Sequence, residues 1–264
     1  MDLGLKGKSV VVTGGGSNIG RAIVLAFARE GAKVTIGDID PAQAGKVAEL
    51  ALKEGAAAAQ ALDCDVTRLD QVQVMFDTAV DKHGAVDVLV NNVGWDRFMF
   101  FTQTTPELWQ KLIQINYVGV LNCTKAALER MVPRNAGAIV SISSDASRQG
   151  EPKEAVYGGL KAAVNSFMKT IAKENGRHGI RCNVVCPGVT VPESPEEIGA
   201  TSLWAKAEEL FTPEQFEKIA QTLPLRKLGR PRDVANAVVF LASPAAGHIT
   251  GQVLSVSGGY SMVG

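Results

Sequence analysis

Tyr157 and Lys161 lie four residues apart in a stretch with helical spacing, so the two side chains share one face. A free tyrosine, with a pKa of about 10, holds its proton too tightly to act as a base at neutral pH. A nearby ammonium favours the phenolate, and a tyrosine lowered in this way can exchange a proton with a substrate oxygen. A second pattern lies near the start of the chain: Thr13-Gly14-Gly15-Gly16-Ser17-Asn18-Ile19-Gly20, between an apolar run and a helical pattern. A helix N-terminus offers unpaired N–H groups and partial positive charge, which suit a phosphate, and glycine lets the backbone turn and approach it. Asp38, eighteen residues after Gly20, ends the next apolar run. A carboxylate there accepts hydrogen bonds from a ribose diol and repels a 2′-phosphate, which favours NAD over NADP. Asp40 competes for that role from beyond the strand end. Taken singly, each pattern also fits a packing pair or a tight turn.

The elements that must position these residues alternate. Strands are predicted at 9–13, 33–38, 57–62, 86–91, 138–143, 181–186 and 253–256. Helices are predicted at 19–30, 42–54, 68–83, 106–131, 154–176 and 231–242, several bounded by Gly31, Pro41, Gly55 and Pro133. Strand–helix alternation predicts an α/β fold of Rossmann type: a doubly wound, seven-stranded parallel sheet with helices on both faces. Ligands then bind outside the carboxyl ends of the strands. Residues 1–264 read as a single dinucleotide-binding catalytic domain. The segment at about 189–223, with prolines at 192, 195 and 213, reads as a lid insertion over the sheet edge.

Composition narrows the function classes. Lys plus Arg and Asp plus Glu number 27 each, so the net charge is zero, and a broad nucleic-acid binder is excluded. Hydrophobic residues make up 46%, too many for a disordered chain. No run approaches the roughly 20 apolar residues of a membrane span, and the N-terminus lacks a signal-peptide pattern. The scattered cysteines (Cys64, Cys123, Cys182 and Cys186) read as buried free thiols in a reducing compartment, and no metal site is expected. These readings predict a cytoplasmic protein.

The motifs together resemble the short-chain dehydrogenase/reductase family over essentially the whole chain. The matching residues are Thr13-Gly14 with Gly20, Asn91-Asn92-Val93-Gly94, Asn116, Ser144, Tyr157 with Lys161, and Pro187-Gly188, in order and at matching spacings, including thirteen residues from Ser144 to Tyr157. The resemblance implies a catalytic acid/base at Tyr157. It implies that Ser144 hydrogen-bonds the reacting oxygen, that Lys161 holds the nicotinamide ribose and lowers the tyrosine, and that Asn116 holds a relay water. Hydride would pass between the substrate carbon and the coenzyme, taken as NAD. Gly14, Ser17, Asn18, Ile19, Gly20, Asp38, Ile39, Asp65, Val66, Asn91, Asn92, Gly94, Pro187, Val189 and Thr190 would contact that coenzyme along with Tyr157 and Lys161. Asn18 replaces a family glycine, and asparagine tolerates positive φ better than most residues. Val93 adds bulk where alanine is usual.

Trp95, Arg97, Ser144, Arg148, Gln149 and Trp204 are candidate substrate contacts, with Asp96, Phe98 and Phe211 as further candidate pocket residues. Asn92–Asp96, 143–148, 154–157 and 251–259 are similar to the hydroxyacyl-CoA dehydrogenases of anaerobic aromatic-acid breakdown. That implies NAD-dependent oxidation of a cyclic or aryl β-hydroxyacyl-CoA, such as 2-[hydroxy(phenyl)methyl]succinyl-CoA or 2-hydroxycyclohexanecarbonyl-CoA. Arg97 or Arg148 would pair with a substrate carboxylate. The alternatives are a dehydrogenase/reductase of a simple cyclic alcohol or a 3-oxoacyl thioester, and a catalytically silent cofactor-binding partner subunit. The small-molecule substrate is expected to be a CoA thioester, with no nucleic-acid or membrane partner. The family resemblance implies a homotetramer or a hetero-oligomer with a related subunit.

Overall fold

A computed structural model describes residues 2–200, 202–206 and 212–263. The strands are β1 (Ser9–Thr13), β2 (Lys33–Asp38), β3 (Ala58–Asp63), β4 (Val88–Asn91), β5 (Gly137–Ile142), β6 (Ile180–Pro187) and β7 (Val253–Val256). They form one seven-stranded sheet in the order β3-β2-β1-β4-β5-β6-β7, and every pairing is parallel. The expected fold class is therefore the observed one.

Alternate residues of each strand feed opposite cores, as the two-residue period of a strand requires. Val10, Val12, Val34, Ile36, Val88 and Val90 pack with α1 (Asn18–Arg29), α2 (Pro41–Lys53) and a late helix at Pro231–Ala242. Val11, Leu89, Ile139 and Val184 pack with α3 (Leu69–His83) and the helices of the second half. From β1 the chain builds outward to β3, then returns to place β4 on the other side of β1. The strand order reverses there, which opens a crevice at the carboxyl ends of β1 and β4. The glycine loop, Asn92 and Gly94 all lie at that crevice.

The helix predicted over 106–131 is not continuous. It divides into α4 (Pro106–Ile113), a π-helical turn (Gln114–Val118) and α5 (Gly119–Met131). The cause is Asn116, whose Nδ2 donates to the Leu112 carbonyl and to the Trp95 carbonyl of another loop. Such insertions in the helical ladder occur often at functional sites. The remaining helices are α6 (Ala146–Gln149), α7 (Ala155–Asn175), α8 (Pro213–Thr222) and α9 (Pro231–Ala242).

The segment expected to be an insertion, 189–223, makes defined contacts with the rest of the chain. Part of it lies on the glycine loop: Ser17 Oγ donates to the Glu197 carbonyl (3.3 Å) and accepts from Gly199 N–H (3.1 Å). Arg21 pairs with Glu197 at 3.2 Å. All four cysteines are free and buried, and no helix among the described residues is long and apolar enough to cross a membrane.

Candidate active site

The glycine loop begins where β1 ends. Gly14 takes φ +63°, and Asn18, at the first position of α1, takes φ +44°. Asparagine thus occupies the left-handed conformation where the family has glycine, and its Oδ1 is buried without a partner. The first turn of α1 carries no acidic residue, which leaves its amide end suited to an anion. Asn92 fastens the loop from the β4 side: its Nδ2 donates to the carbonyls of Thr13 (3.0 Å) and Gly14 (2.9 Å). Gly20 makes the close approach possible, because a Cβ there would run into the Gly14 carbonyl oxygen and lie 2.6 Å from Asn92 Nδ2.

Asp38 is buried at the end of β2. Its Oδ2 accepts from Gly16 N–H (2.8 Å), and its Oδ1 accepts from Asp40 N–H (3.0 Å). Burial raises its pKa, against those two N–H groups. The competing Asp40 is spent elsewhere, since its Oδ1 accepts from Gln43 N–H and caps α2. The cradle fits the ADP half of a nicotinamide dinucleotide: N–H groups and close-packed glycines for a pyrophosphate, and a fixed carboxylate for a ribose diol. A Cβ at Gly16 would stand 2.9 Å from Asp38 Oδ2, so the cradle depends on glycine there too.

The other predicted coenzyme residues divide between rim and scaffold. Ile39 is exposed beside Asp38, while Val66 is buried in the second core. Asp65 Oδ1 accepts from the Thr67 N–H and hydroxyl, shaping the turn after β3. Asn91 is buried, donating to Thr124 and Ser141 hydroxyls, and so braces the sheet end. Pro187 ends β6, and its carbonyl accepts from Asp145 N–H. Beyond it, Val189 and Thr190 are tied to Gly229 through backbone pairing. Ile19 packs against the first core, and Ser17 is held by the segment at 197–199.

The reacting groups gather one strand further on. Ser144 follows β5, and its hydroxyl stands near enough to Tyr157 on α7 to favour the phenolate. Lys161, one turn on, is 2% exposed; its Nζ donates to the Ile142 carbonyl (3.0 Å) and lies 5.5 Å from the Tyr157 ring centre. Gly94 lets the crevice reach this lysine: a Cβ there would be 3.1 Å from Lys161 Nζ and 3.4 Å from Asn116 Oδ1. Asn116 is fully buried, and its amide clasps both backbone groups of Trp95. It therefore fixes the loop that carries Gly94 and Trp95.

Two electrostatic findings revise the sequence reading. Tyr157 is not lowered in this structure. Burial pushes its pKa up, and the carboxylates of Glu154 and Asp96 add to the rise against the Ser144 hydroxyl. Lys161 is itself lowered by burial, to about 8. When bound, an oxidised nicotinamide supplies the hydride acceptor and a further positive charge.

The substrate candidates also separate. Trp95 lies beside Gly94, with Lys111 Nζ 4.0 Å from its ring centre, and Arg97 is exposed two residues on. Arg148 turns away from the crevice: its guanidinium donates to the carbonyls of Val253 (3.0 Å) and Val263 in the C-terminal segment. It is thus spent on backbone and does not serve as a carboxylate clamp. Gln149 is exposed beside the C-terminal segment, where Tyr260 donates to Glu151. Trp204 packs on Phe216 of α8, ring centres 6.1 Å apart, and so fixes that helix. Phe211 lies outside the described residues. Sequence reasoning missed Glu154 and placed Asp96 only among the candidate pocket residues, although both stand within four residues of a named motif residue.

Comparisons with known proteins agree with this geometry. The pattern of the family described as enoyl-(acyl carrier protein) reductase matches residues 14–261. The chain is 36% identical over 261 residues to a 3-oxoacyl-[acyl-carrier-protein] reductase of Synechocystis, covering 98% of both. It is 34% identical to a 3-oxoacyl-[acyl-carrier-protein] reductase of Thermotoga maritima, covering 97% of this chain and 98% of the relative. It is 31% identical to the 7alpha-hydroxysteroid dehydrogenase of Escherichia coli, covering 98% and 96%. With the crevice, the glycine loop and the Ser144–Tyr157–Lys161 group in one place, the chain belongs to the short-chain dehydrogenase/reductase family of oxidoreductases.

Proposed function

We propose that this protein interconverts a secondary alcohol and a ketone, using NAD, on the acyl part of a CoA thioester. The observation that carries the reading is the meeting of Tyr157, Ser144 and Lys161 at the end of a crevice whose other end holds Asp38. In the oxidative direction Tyr157 Oη takes the hydroxyl proton as hydride leaves the carbinol carbon. Ser144 holds the same oxygen as it becomes a carbonyl. Lys161, buried beside the ring, offsets negative charge on the phenolate. In reduction the proton returns from Tyr157 to the carbonyl oxygen.

The preference for NAD rests on Asp38, which sets a carboxylate where a 2′-phosphate would have to sit. The acyl group we favour is cyclic or aryl, as in 2-hydroxycyclohexanecarbonyl-CoA or 2-[hydroxy(phenyl)methyl]succinyl-CoA of aromatic-compound degradation. Trp95 beside Gly94, and Phe101 stacked on Trp109 of α4 with ring centres 5.6 Å apart, supply flat apolar surfaces in and beside the loop after β4. Arg97 on this loop, Lys111 on α4 and Lys153 on the segment before α7 give the local positive charge that a CoA phosphate needs in a chain of zero net charge. A second reading, reduction of a 3-oxoacyl thioester, is favoured by the activities for which the two reductase relatives are named. Residues 1–264 act in this reading as a single catalytic domain, 189–223 as its substrate lid, in a cytoplasmic homotetramer or a hetero-oligomer with a related subunit. Exposed Leu254, Met262 and Val263 suit such an interface.

Steady-state rates on a panel of cyclic, aryl and straight-chain hydroxyacyl-CoA esters, each beside its free acid, test the substrate. The expected result is turnover of the esters at least about tenfold above the acids. Equal rates with and without CoA would sink the thioester reading. Measured with both coenzymes, kcat/KM is expected to favour NAD, and Asp38→Asn is expected to shrink that preference at least about tenfold by removing the like-charge clash. An unchanged preference would remove Asp38 from coenzyme choice.

A further inference from the structure

Two carboxyl groups beside Tyr157 have no part in the mechanism above. Asp96 is 5% exposed, and its Oδ2 is buried with no hydrogen-bond partner. A buried carboxylate oxygen left unpaired costs stability, so its retention needs a reason. It sits two residues after Gly94, in the loop that Asn116 clasps at Trp95 and that reaches Lys161. Glu154 is the N-terminal flanking residue of α7, three before Tyr157. The two segments are fastened together, because Met99 N–H donates to the Lys153 carbonyl at 3.0 Å. Both carboxyls act electrostatically on Tyr157, Glu154 from the cap of its own helix and Asp96 from the loop fastened beside that cap.

We propose that Asp96 and Glu154 are a pair of positioning residues that hold the proton on Tyr157 and so set the pH at which the site passes from donating to accepting one. This rests on Tyr157 being the acid/base of the proposed function. The groups around the phenol are Glu154, with Glu151 just before it, Asp96 on the loop after β4, Lys161 on α7 and Cys186 on β6. Tyr260 stands behind Glu151. Negative charge on Asp96 or Glu154 opposes the phenolate. Burial brings Asp96 toward neutrality, to about 6, against the Arg97 N–H and Lys161; burial with repulsion from Asp96 and Glu151 brings Glu154 to about 8. The pair also differs internally, since Asp96 favours the charged form of Lys161 while Glu154 acts on the tyrosine side.

That difference gives each variant its own signature. Alcohol oxidation needs the phenolate, so its rate rises with pH through the Tyr157 transition. Glu154→Gln removes a like charge and should move that rising limb down by about one pH unit. Asp96→Asn should lower the limb less, because it also weakens the charge on Lys161; its distinct effect is an earlier loss of activity at high pH. Tyrosinate absorbance of the protein without coenzyme, taken as the difference from Tyr157→Phe, supplies a reading independent of turnover. The expected result is a downward shift in Glu154→Gln. Variants that lose activity evenly at all pH values, with both limbs and the tyrosinate transition unmoved, would overturn the proposal. If the Tyr157→Phe protein proved fully active, the acid/base assignment would fail instead, and the tyrosinate titration would still report whether the carboxyls act on the phenol.

Discussion

Tyr157→Phe is expected to lower kcat by about 10² to 10⁴-fold while leaving coenzyme affinity within about twofold of wild type. The change deletes the hydroxyl and keeps the ring, so the packing of α7 and the environment of Lys161 are preserved. What disappears is the group that takes or returns the proton, and positioned acid–base catalysis contributes about 10² to 10⁴. Ser144 cannot stand in, because a hydroxyl without a base beside it is a poor acceptor. Lys161 cannot either, since its Nζ is anchored to the Ile142 carbonyl beneath the ring. Steady-state rates with coenzyme titration by reduced-nicotinamide fluorescence check both halves. A variant that loses coenzyme binding as well would show that the hydroxyl holds the crevice together rather than moving a proton.

Gly20→Ala is expected to raise the coenzyme dissociation constant by at least about tenfold, with a loss of folding stability of about 1–3 kcal/mol. The new methyl would strike the Gly14 carbonyl and crowd Asn92 Nδ2 at 2.6 Å, and both belong to the clamp that shapes the loop. The Gly14 carbonyl is backbone, and the Asn92 amide end is tied to the Thr13 and Gly14 carbonyls, so relief requires the loop to move. Loop movement misaligns the N–H groups offered to the pyrophosphate. Coenzyme titration and thermal unfolding measure the two effects separately. An alanine variant with native coenzyme affinity would mean that the loop is not the pyrophosphate cradle.

Residue pattern and residue environment were not equally legible in the sequence. Strands such as Val10-Val11-Val12 are apolar on both faces, because a parallel sheet buries both, and this leaves a continuous run that periodicity detects. The positive φ of Asn18 was legible for a similar reason: it depends on one residue's own backbone preference. The π turn at Asn116 was not, since its cause is a side chain bonding the backbone of Trp95, twenty-one residues away. Arg148 was misread because its acceptors are carbonyls more than a hundred residues further on. The same limit hid the rise in Tyr157. Spacing places Lys161 one turn from it, but burial and the carboxylates of Glu154 and Asp96 decide the direction, and Asp96 arrives from another loop. Motif spacing therefore identifies the groups that react, while their protonation is a property of the assembled crevice.

The fate of one hydrogen tests the central claim most directly. An alcohol substrate drawn from the panel, carrying deuterium on its carbinol carbon, is incubated with NAD and the wild-type protein, and the reduced coenzyme is analysed by mass spectrometry. The account predicts one deuterium in each reduced nicotinamide formed, and a collapse of that transfer in Tyr157→Phe. Deuterium released to water, or transfer at the wild-type rate in Tyr157→Phe, would contradict it.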